Sequence, residues 1–187
     1  GSPEYLPYDE NHPKNPINPY GNSKWMIEKM LIDWCNASIS RKAISLRYFN
    51  PVGAHKSKLI GEKYNKFSSN IMPAICNVIL GKSKNLSIYG NDYDTKDGTA
   101  ERDYIHILDL TNAHVKAIDY LMKSLTSYDV FNIGTNKPLS VLELVNTFEK
   151  TTKIKIPIIF KKRRKGDLPR FWANSKKAKK ILNWSPK

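Results

Sequence analysis

From Tyr20 onward apolar side chains recur with helical spacing: Met26, Met30 and Trp34 stand four apart, with Ile27 and Leu31 beside them. That spacing predicts an amphipathic helix running to about Ala37. The run AISLRYF, residues 43 to 49, closed by Asn50-Pro51 and Gly53, reads as a short strand. The alternation then repeats, with a helix near 70 to 80 ended by Gly81, the strand LSIYG, the turn-rich loop GNDYDTKDGTAERD and the short strand YIHI. A helix over roughly 109 to 123, the strand VFNIG, the helix VLELVNTFEK, the strand IPIIF and a last short helix over 175 to 183 complete the pattern. Ser140 and Glu143 have the spacing of a capping box ahead of VLELVNTFEK. Helices alternating with short apolar strands predict an α/β protein with a mainly parallel sheet. Residues 3 to 19, rich in proline and asparagine and without a periodic pattern, predict an extended surface loop. A Gly-rich turn of the G-x-G-x-x-G kind between a strand and a helix occurs nowhere in the chain.

Composition narrows the class of protein. The 187 residues suffice for one domain with a real core, or for one and a half smaller units sharing a sheet. No apolar run approaches the ~20 residues of a membrane span, and the start shows no charged segment followed by an apolar one. The expectation is a soluble, cytoplasmic protein with no membrane partner. Cys35 and Cys76 sit in apolar helix-like segments without metal-type spacing, which reads as two buried thiols. The net charge of +14 would ordinarily raise nucleic acid as a partner. The lysines are scattered, however, and only KKRRK, residues 161 to 165, is a dense basic run, so solvated lysines and no nucleic acid is the reading taken.

Candidate chemistry begins at NPYGNSK, residues 18 to 24, where Tyr20 and Lys24 fall one helical turn apart. A free phenol has a pKa of about 10 and is a poor base at neutral pH. An ammonium on the same helix face favours its phenolate, which suits the pair to general acid/base work at an alcohol. By itself Y-x-x-x-K is equally an exposed helix pair.

The wider context is specific. NPYGNSK, then LRYFNPVGAH, SSNIMP, SIYGNDYDTKDGTAERDYIHILDL and GDLPRFWAN, in this order and at nearly constant spacing, resemble the UDP-galactose 4-epimerases of the extended short-chain dehydrogenase/reductase group. The resemblance covers essentially the whole chain. It implies an α/β fold in which the end of a Rossmann-type parallel sheet, residues 1–60, is followed by a smaller UDP-sugar-binding domain, residues 61–187, some of whose elements return to the Rossmann sheet. It also implies that the glycine fingerprint and a catalytic Ser or Thr lie upstream of Gly1, and that the chain is a fragment inactive alone.

Carried over residue by residue, the resemblance makes Tyr20 the acid/base at the sugar O4 and Lys24 the residue that holds the nicotinamide ribose of NAD. Phe49 would lie beside the nicotinamide. Asn50, Asn70, Ile71, Ser87, Ile88 and Tyr89 would contact the sugar nucleotide, and Arg102 and Arg164 would face its diphosphate. Asp167 would accept ribose hydroxyls, and Phe171 would bound the hexose pocket, excluding N-acetyl sugars by volume. UDP-galactose and UDP-glucose are the implied substrates, and a homodimer through the helix that starts at Tyr20 is the implied assembly. Departures from the family pattern are EKYNKFSSN and GTAER, both flanking binding residues. Plainer readings stay open: Asn50 could shape the turn before Pro51, and Arg102 could pair with Asp103 at the surface. His106, between Ile105 and Ile107, reads as a packed core residue, and no histidine has metal-type spacing. A sugar-nucleotide dehydratase or decarboxylase of the same fold, and a non-enzymatic basic binding module, are the alternatives.

Overall fold

A computed structural model describes residues 1–62 and 70–187. Most of the departure EKYNKFSSN, with the two serines of SSNIMP, lies outside the described residues. The chain divides into two compact units: residues 1–51, 103–137 and 171–187 form unit 1, and residues 52–102 and 138–170 form unit 2. The sequence reading set a boundary near residue 60 with later elements returning; the segments that group with 1–51 are 103–137 and 171–187.

In unit 1, helix α1 (Pro19–Asn36) starts where Asn18 accepts a hydrogen bond from the Gly21 N–H at 2.8 Å, with Pro19 in the first helical turn. Strand β1 (Ala43–Tyr48) pairs in parallel with β5 (Tyr128–Ile133), in a register that sets Ala43 beside Tyr128 and Tyr48 beside Ile133. Helix α3 (Ile107–Lys123) and the short α5 (Lys176–Ile181) supply Leu110, Ala113, Ala117 and Ala178 to a core with Phe131, Ile133 and Trp184. This is the helix-on-parallel-sheet packing that near-continuous apolar strands require.

Unit 2 repeats the principle at smaller scale. Strand β3 (Leu86–Tyr89) pairs in parallel with β7 (Ile158–Lys161), and helices α2 (Ile71–Ile79) and α4 (Val141–Thr152) cover it. Ile75, Leu86, Ile88, Val145 and Ile156 are its buried centre. The capping box is present as the sequence predicts: Ser140 Oγ accepts from the Glu143 N–H and Glu143 accepts from the Ser140 N–H. Gly81 follows α2 at φ +68°, a conformation that favours glycine. Strand β6 (Pro138–Ser140) belongs to unit 2, while the chain passes between units along β2 (Asn50–Val52), β4 (Glu101–His106) and β8 (Arg170–Phe171). Of these, β2, β6 and β8 have too few residues to show a periodicity. Among the described residues no helix is long and apolar enough to cross a membrane.

Three expectations are corrected. The segment before α1 is not wholly a surface loop, because Tyr8 and His12 are buried. Its extended backbone bonds to residues 172–174: Tyr8 N–H donates to the Trp172 carbonyl at 3.0 Å, and Asn174 N–H donates to the Tyr8 carbonyl at 2.6 Å. His106 is exposed and caps α3, its Nδ1 accepting from the Leu108 N–H at 3.2 Å; alternation along β4 buries Asp103 and Ile105 and sets His106 on the opposite face. Cys35 is buried but Cys76 is exposed, lying next to Ile75 on the outer side of the short helix α2.

Candidate active site

Tyr20 is the second residue of α1 and Lys24 lies one turn further along the same face. The Lys24 ammonium stands 5.1 Å from the centroid of the Tyr20 ring, which is 72% exposed. Cation and phenol thus meet across the ring face. Both border a cleft of about 530 Å³ in unit 1, together with Tyr8, Lys14, Tyr48, Phe49 and Phe171. Phe49 continues β1 by one residue, its N–H donating to the Ile133 carbonyl at 3.3 Å. That location, just beyond the carboxyl end of a parallel strand, is where α/β sheets present ligand-binding groups.

Aromatic rings line one side of the cleft. Phe171 lies 4.6 Å from Phe49 and 5.0 Å from Tyr8, centroid to centroid. The segment that carries Phe171 is fixed by Asp103, a fully buried carboxylate on β4. Asp103 accepts from the N–H groups of Thr135 at 2.7 Å, Asn136 at 3.2 Å and Ala173 at 3.1 Å, and from the Thr135 hydroxyl at 2.6 Å. It is therefore not the surface partner of Arg102. A Cβ at Gly134 would stand 2.5 Å from Asp103 Oδ2, so only glycine lets the carboxylate approach this turn. Tyr8 and Asp103 carry no sequence signal for this duty; each sits in a segment that reads as loop or as an ion pair. Asn50 opens β2 and is half-buried.

Unit 2 gathers a second set of predicted residues. Asp167 is flanked by both arginines, 4.0 Å from Arg102 and 3.5 Å from Arg164. The Arg164 guanidinium stacks 4.2 Å over the Tyr89 ring, and the Lys161 ammonium lies 5.9 Å from the same ring. Tyr89 and Lys161 are register partners at the carboxyl ends of β3 and β7. Two planar guanidiniums held near a single carboxylate leave one net positive charge, an arrangement suited to bidentate contact with phosphate oxygens. Ser87 and Tyr89 share the face of β3 opposite Ile88, a residue only 2% exposed within the core. Asn70 caps α2 without a side-chain cap hydrogen bond, and its Nδ2 donates to Glu62 at 3.4 Å; Ile71 packs against the unit 2 core. The structure brings Tyr89, Arg102, Arg164 and Asp167 together, and gives Asn70 and Ile71 a place at the start of α2. Among the described residues no group of three His, Cys, Asp or Glu side chains is placed to hold a metal.

The loop between β3 and β4 is held to α4 by a carboxylate. Burial works against the charge on Asp97, but hydrogen bonds from the Ser140 hydroxyl and from Thr99 outweigh it and hold this carboxyl below its ordinary range.

The chain is 46% identical over 187 residues to the UDP-glucose 4-epimerase of Bacillus subtilis, covering 100% of this chain and 55% of that protein. The crystal structure of a Bifidobacterium longum UDP-glucose 4-epimerase in complex with NAD+ and UDP superposes with a TM-score of 0.94 at 42% identity, covering 100% of this chain and 56% of that one. A Stenotrophomonas maltophila UDP-glucose-4-epimerase with bound NAD and formylated UDP-arabinopyranose superposes with a TM-score of 0.95 at 38% identity, covering 100% and 55%. The chain spans about half the length of the curated relatives it matches. Residues 1–187 match the family model described as GDP-mannose 4,6 dehydratase, and the chain belongs to that family of extended short-chain dehydrogenase/reductases, in which it is similar to the UDP-glucose 4-epimerases.

Proposed function

We propose that this chain supplies the acid/base pair and the nucleotide-binding part of a UDP-glucose 4-epimerase that works with NAD, interconverting UDP-galactose and UDP-glucose. The observation that carries the reading is the Tyr20–Lys24 pair at the edge of a cleft lined by Phe49 and Phe171. An aromatic face and an exposed ammonium beside a phenol fit the ring and ribose of a nicotinamide nucleotide, which Phe49 and Lys24 would hold. NAD held by these residues would supply reversible hydride transfer at the sugar C4, with no net redox change. Tyr20 removes the proton from the C4 hydroxyl as the hydride leaves and gives it back when the hydride returns. Lys24 stabilises the charge on the Tyr20 oxygen while the phenol is without its proton. Arg102 and Arg164 grip the diphosphate, and Asp167 orients Arg164 and accepts hydroxyls of the ribose. Phe171, braced by Phe49 and Tyr8, limits the room beside the hexose.

The same reading includes a cytoplasmic enzyme of galactose metabolism that pairs with a second copy. Support for pairing is the exposure of Met26, Met30 and Trp34 on α1, at 56%, 69% and 47%.

The test is turnover of UDP-galactose deuterated at C4 by the complete epimerase that contains this chain, with NAD, followed by nuclear magnetic resonance. UDP-glucose that retains the label at C4 is expected. Loss of the label to water would contradict hydride transfer, and a dehydrated product would favour a dehydratase.

A further inference from the structure

Two adjacent arginines that follow β7 are used in opposite ways. Arg164 lies over Tyr89 and beside Asp167. Arg163 turns instead to the loop that follows β3. Its guanidinium sits 4.2 Å from the centroid of the Tyr93 ring, its Nε lies 2.8 Å from Asp92 Oδ1, and it donates a further hydrogen bond to the Asp92 carbonyl. Tyr93 is 5% exposed, and its hydroxyl has no hydrogen-bond partner among the described residues, so packing alone holds the ring. That packing is tight: a Cβ on Gly90 would fall 2.3 Å from Tyr93 Cε2 and 3.1 Å from Arg163 Cγ. Gly90, at φ +85°, leaves the space that ring and guanidinium occupy.

The position of this clasp explains its use. The Gly90 N–H donates to the Lys161 carbonyl at 2.8 Å, the last ladder bond of the β3–β7 pair. Beyond it Arg163 is the next fastening between the two strand ends, and the residue after it is Arg164. The turn then closes through the Asp167 N–H, which donates to the Arg164 carbonyl at 3.2 Å. An exposed ion pair alone would contribute little. A planar guanidinium held by a ring face, a carboxylate and a carbonyl is oriented in a way that a lysine cannot reproduce.

We propose that Arg163 is a positioning residue: by clasping Asp92 and Tyr93 it fixes the turn that presents Arg164 and Asp167, so that the diphosphate-binding groups are ordered before the nucleotide arrives. The proposal rests on the reading of Arg164 as a diphosphate contact. Ordering a long side chain beforehand removes part of the entropic cost of binding, and losing it weakens binding by about threefold to tenfold.

The experiment is steady-state kinetics on the complete epimerase that contains this chain, with NAD and UDP-galactose, together with calorimetric titration of UDP and of uridine. Arg163→Met is expected to raise KM about threefold to tenfold, with kcat the less affected parameter, and to weaken UDP more than uridine, which meets the turn only through Asp167. Arg163→Lys should recover part of the loss. Asp92→Asn, at an exposed site, should shift KM in the same direction by less and guards against an Arg163 variant that folds poorly. If Arg163 acts through Arg164, the Arg163→Met change adds nothing in an Arg164→Met background. Unchanged KM in Arg163→Met, equal weakening of uridine, or multiplying effects in the double variant would overturn the proposal. An Arg164→Met variant that binds UDP normally would instead overturn the diphosphate reading, and this role with it.

Discussion

Asp103→Asn should loosen the turn and strand that carry Phe171. In the native chain the two carboxylate oxygens accept four hydrogen bonds, from the Thr135, Asn136 and Ala173 N–H groups and the Thr135 hydroxyl, all between 2.6 and 3.2 Å. An amide has one acceptor oxygen. If that oxygen faces Thr135, its NH2 points at the Asn136 and Ala173 N–H groups, and two bonds are lost. If it is flipped, the NH2 opposes the Thr135 N–H, while the Thr135 hydroxyl can turn and accept. Hydrogen bonds to a charged acceptor are worth about 1.5–3 kcal/mol each and neutral ones about 0.5–1.5 kcal/mol, so the flipped form, which loses the Thr135 N–H bond and keeps three neutral bonds in place of charged ones, costs about 4–7 kcal/mol. Removing a buried charge offsets part of that, since its desolvation opposed folding. A net loss of about 2–4 kcal/mol is therefore expected. Urea denaturation measures the total, and amide hydrogen exchange locates it: protection should fall at Thr135, Asn136 and Ala173 while the α4 amides of unit 2 keep theirs. A loss below about 1 kcal/mol, or a fall in protection spread evenly over both units, would refute the assignment of Asp103 as a local brace.

Other substitutions test the site. Phe171→Ala should let UDP-N-acetylgalactosamine compete, narrowing its disadvantage in kcat/KM by about tenfold to a hundredfold, because an overpacked pocket costs about 1–3 kcal/mol. Lost stacking on Phe49 and Tyr8 should lower Tm in the same variant, and equal native rates on both sugars would show that Phe171 is not the gate. Lys24→Met should lower both the rate and the affinity for NAD, measured by kinetics and by titration of the cofactor. Asp97 is held below the ordinary carboxyl range when folded, so its contribution is complete above the unfolded pKa of about 3.9 and fades as pH falls below it. Circular dichroism against pH should show unit 2 weakening on that acid side, and Ser140→Ala should shrink the effect.

Legibility followed the length and amphipathy of each element. The helices and the strands β1, β3, β5 and β7 each have enough residues for a period to emerge, and Ser140 with Glu143 announces α4 through a local hydrogen-bond exchange. Strands β2, β6 and β8 have two or three residues, and their extended state depends on distant neighbours. The same distance hid Tyr8: proline-rich composition predicts an exposed loop, whereas its backbone pairs with residues about 165 positions away in sequence, a contact no local pattern encodes. At the candidate site, Tyr20 and Lys24 were readable because helical geometry fixes residues four apart. Arg102 and Arg164 needed the family motif, since two arginines separated by about 60 residues have no periodic relation. The split roles of Arg163 and Arg164 were invisible in KKRRK, where each cation has the same local surroundings.

The central claim is that Tyr20 carries the proton of a 4-epimerase, and Tyr20→Phe in the complete epimerase that contains this chain, with NAD, tests it most directly. The change keeps the ring and the Lys24 contact over its face and removes only the hydroxyl. Turnover of UDP-galactose should fall by about 10²- to 10⁴-fold with UDP affinity preserved. Native turnover in that variant would contradict the account.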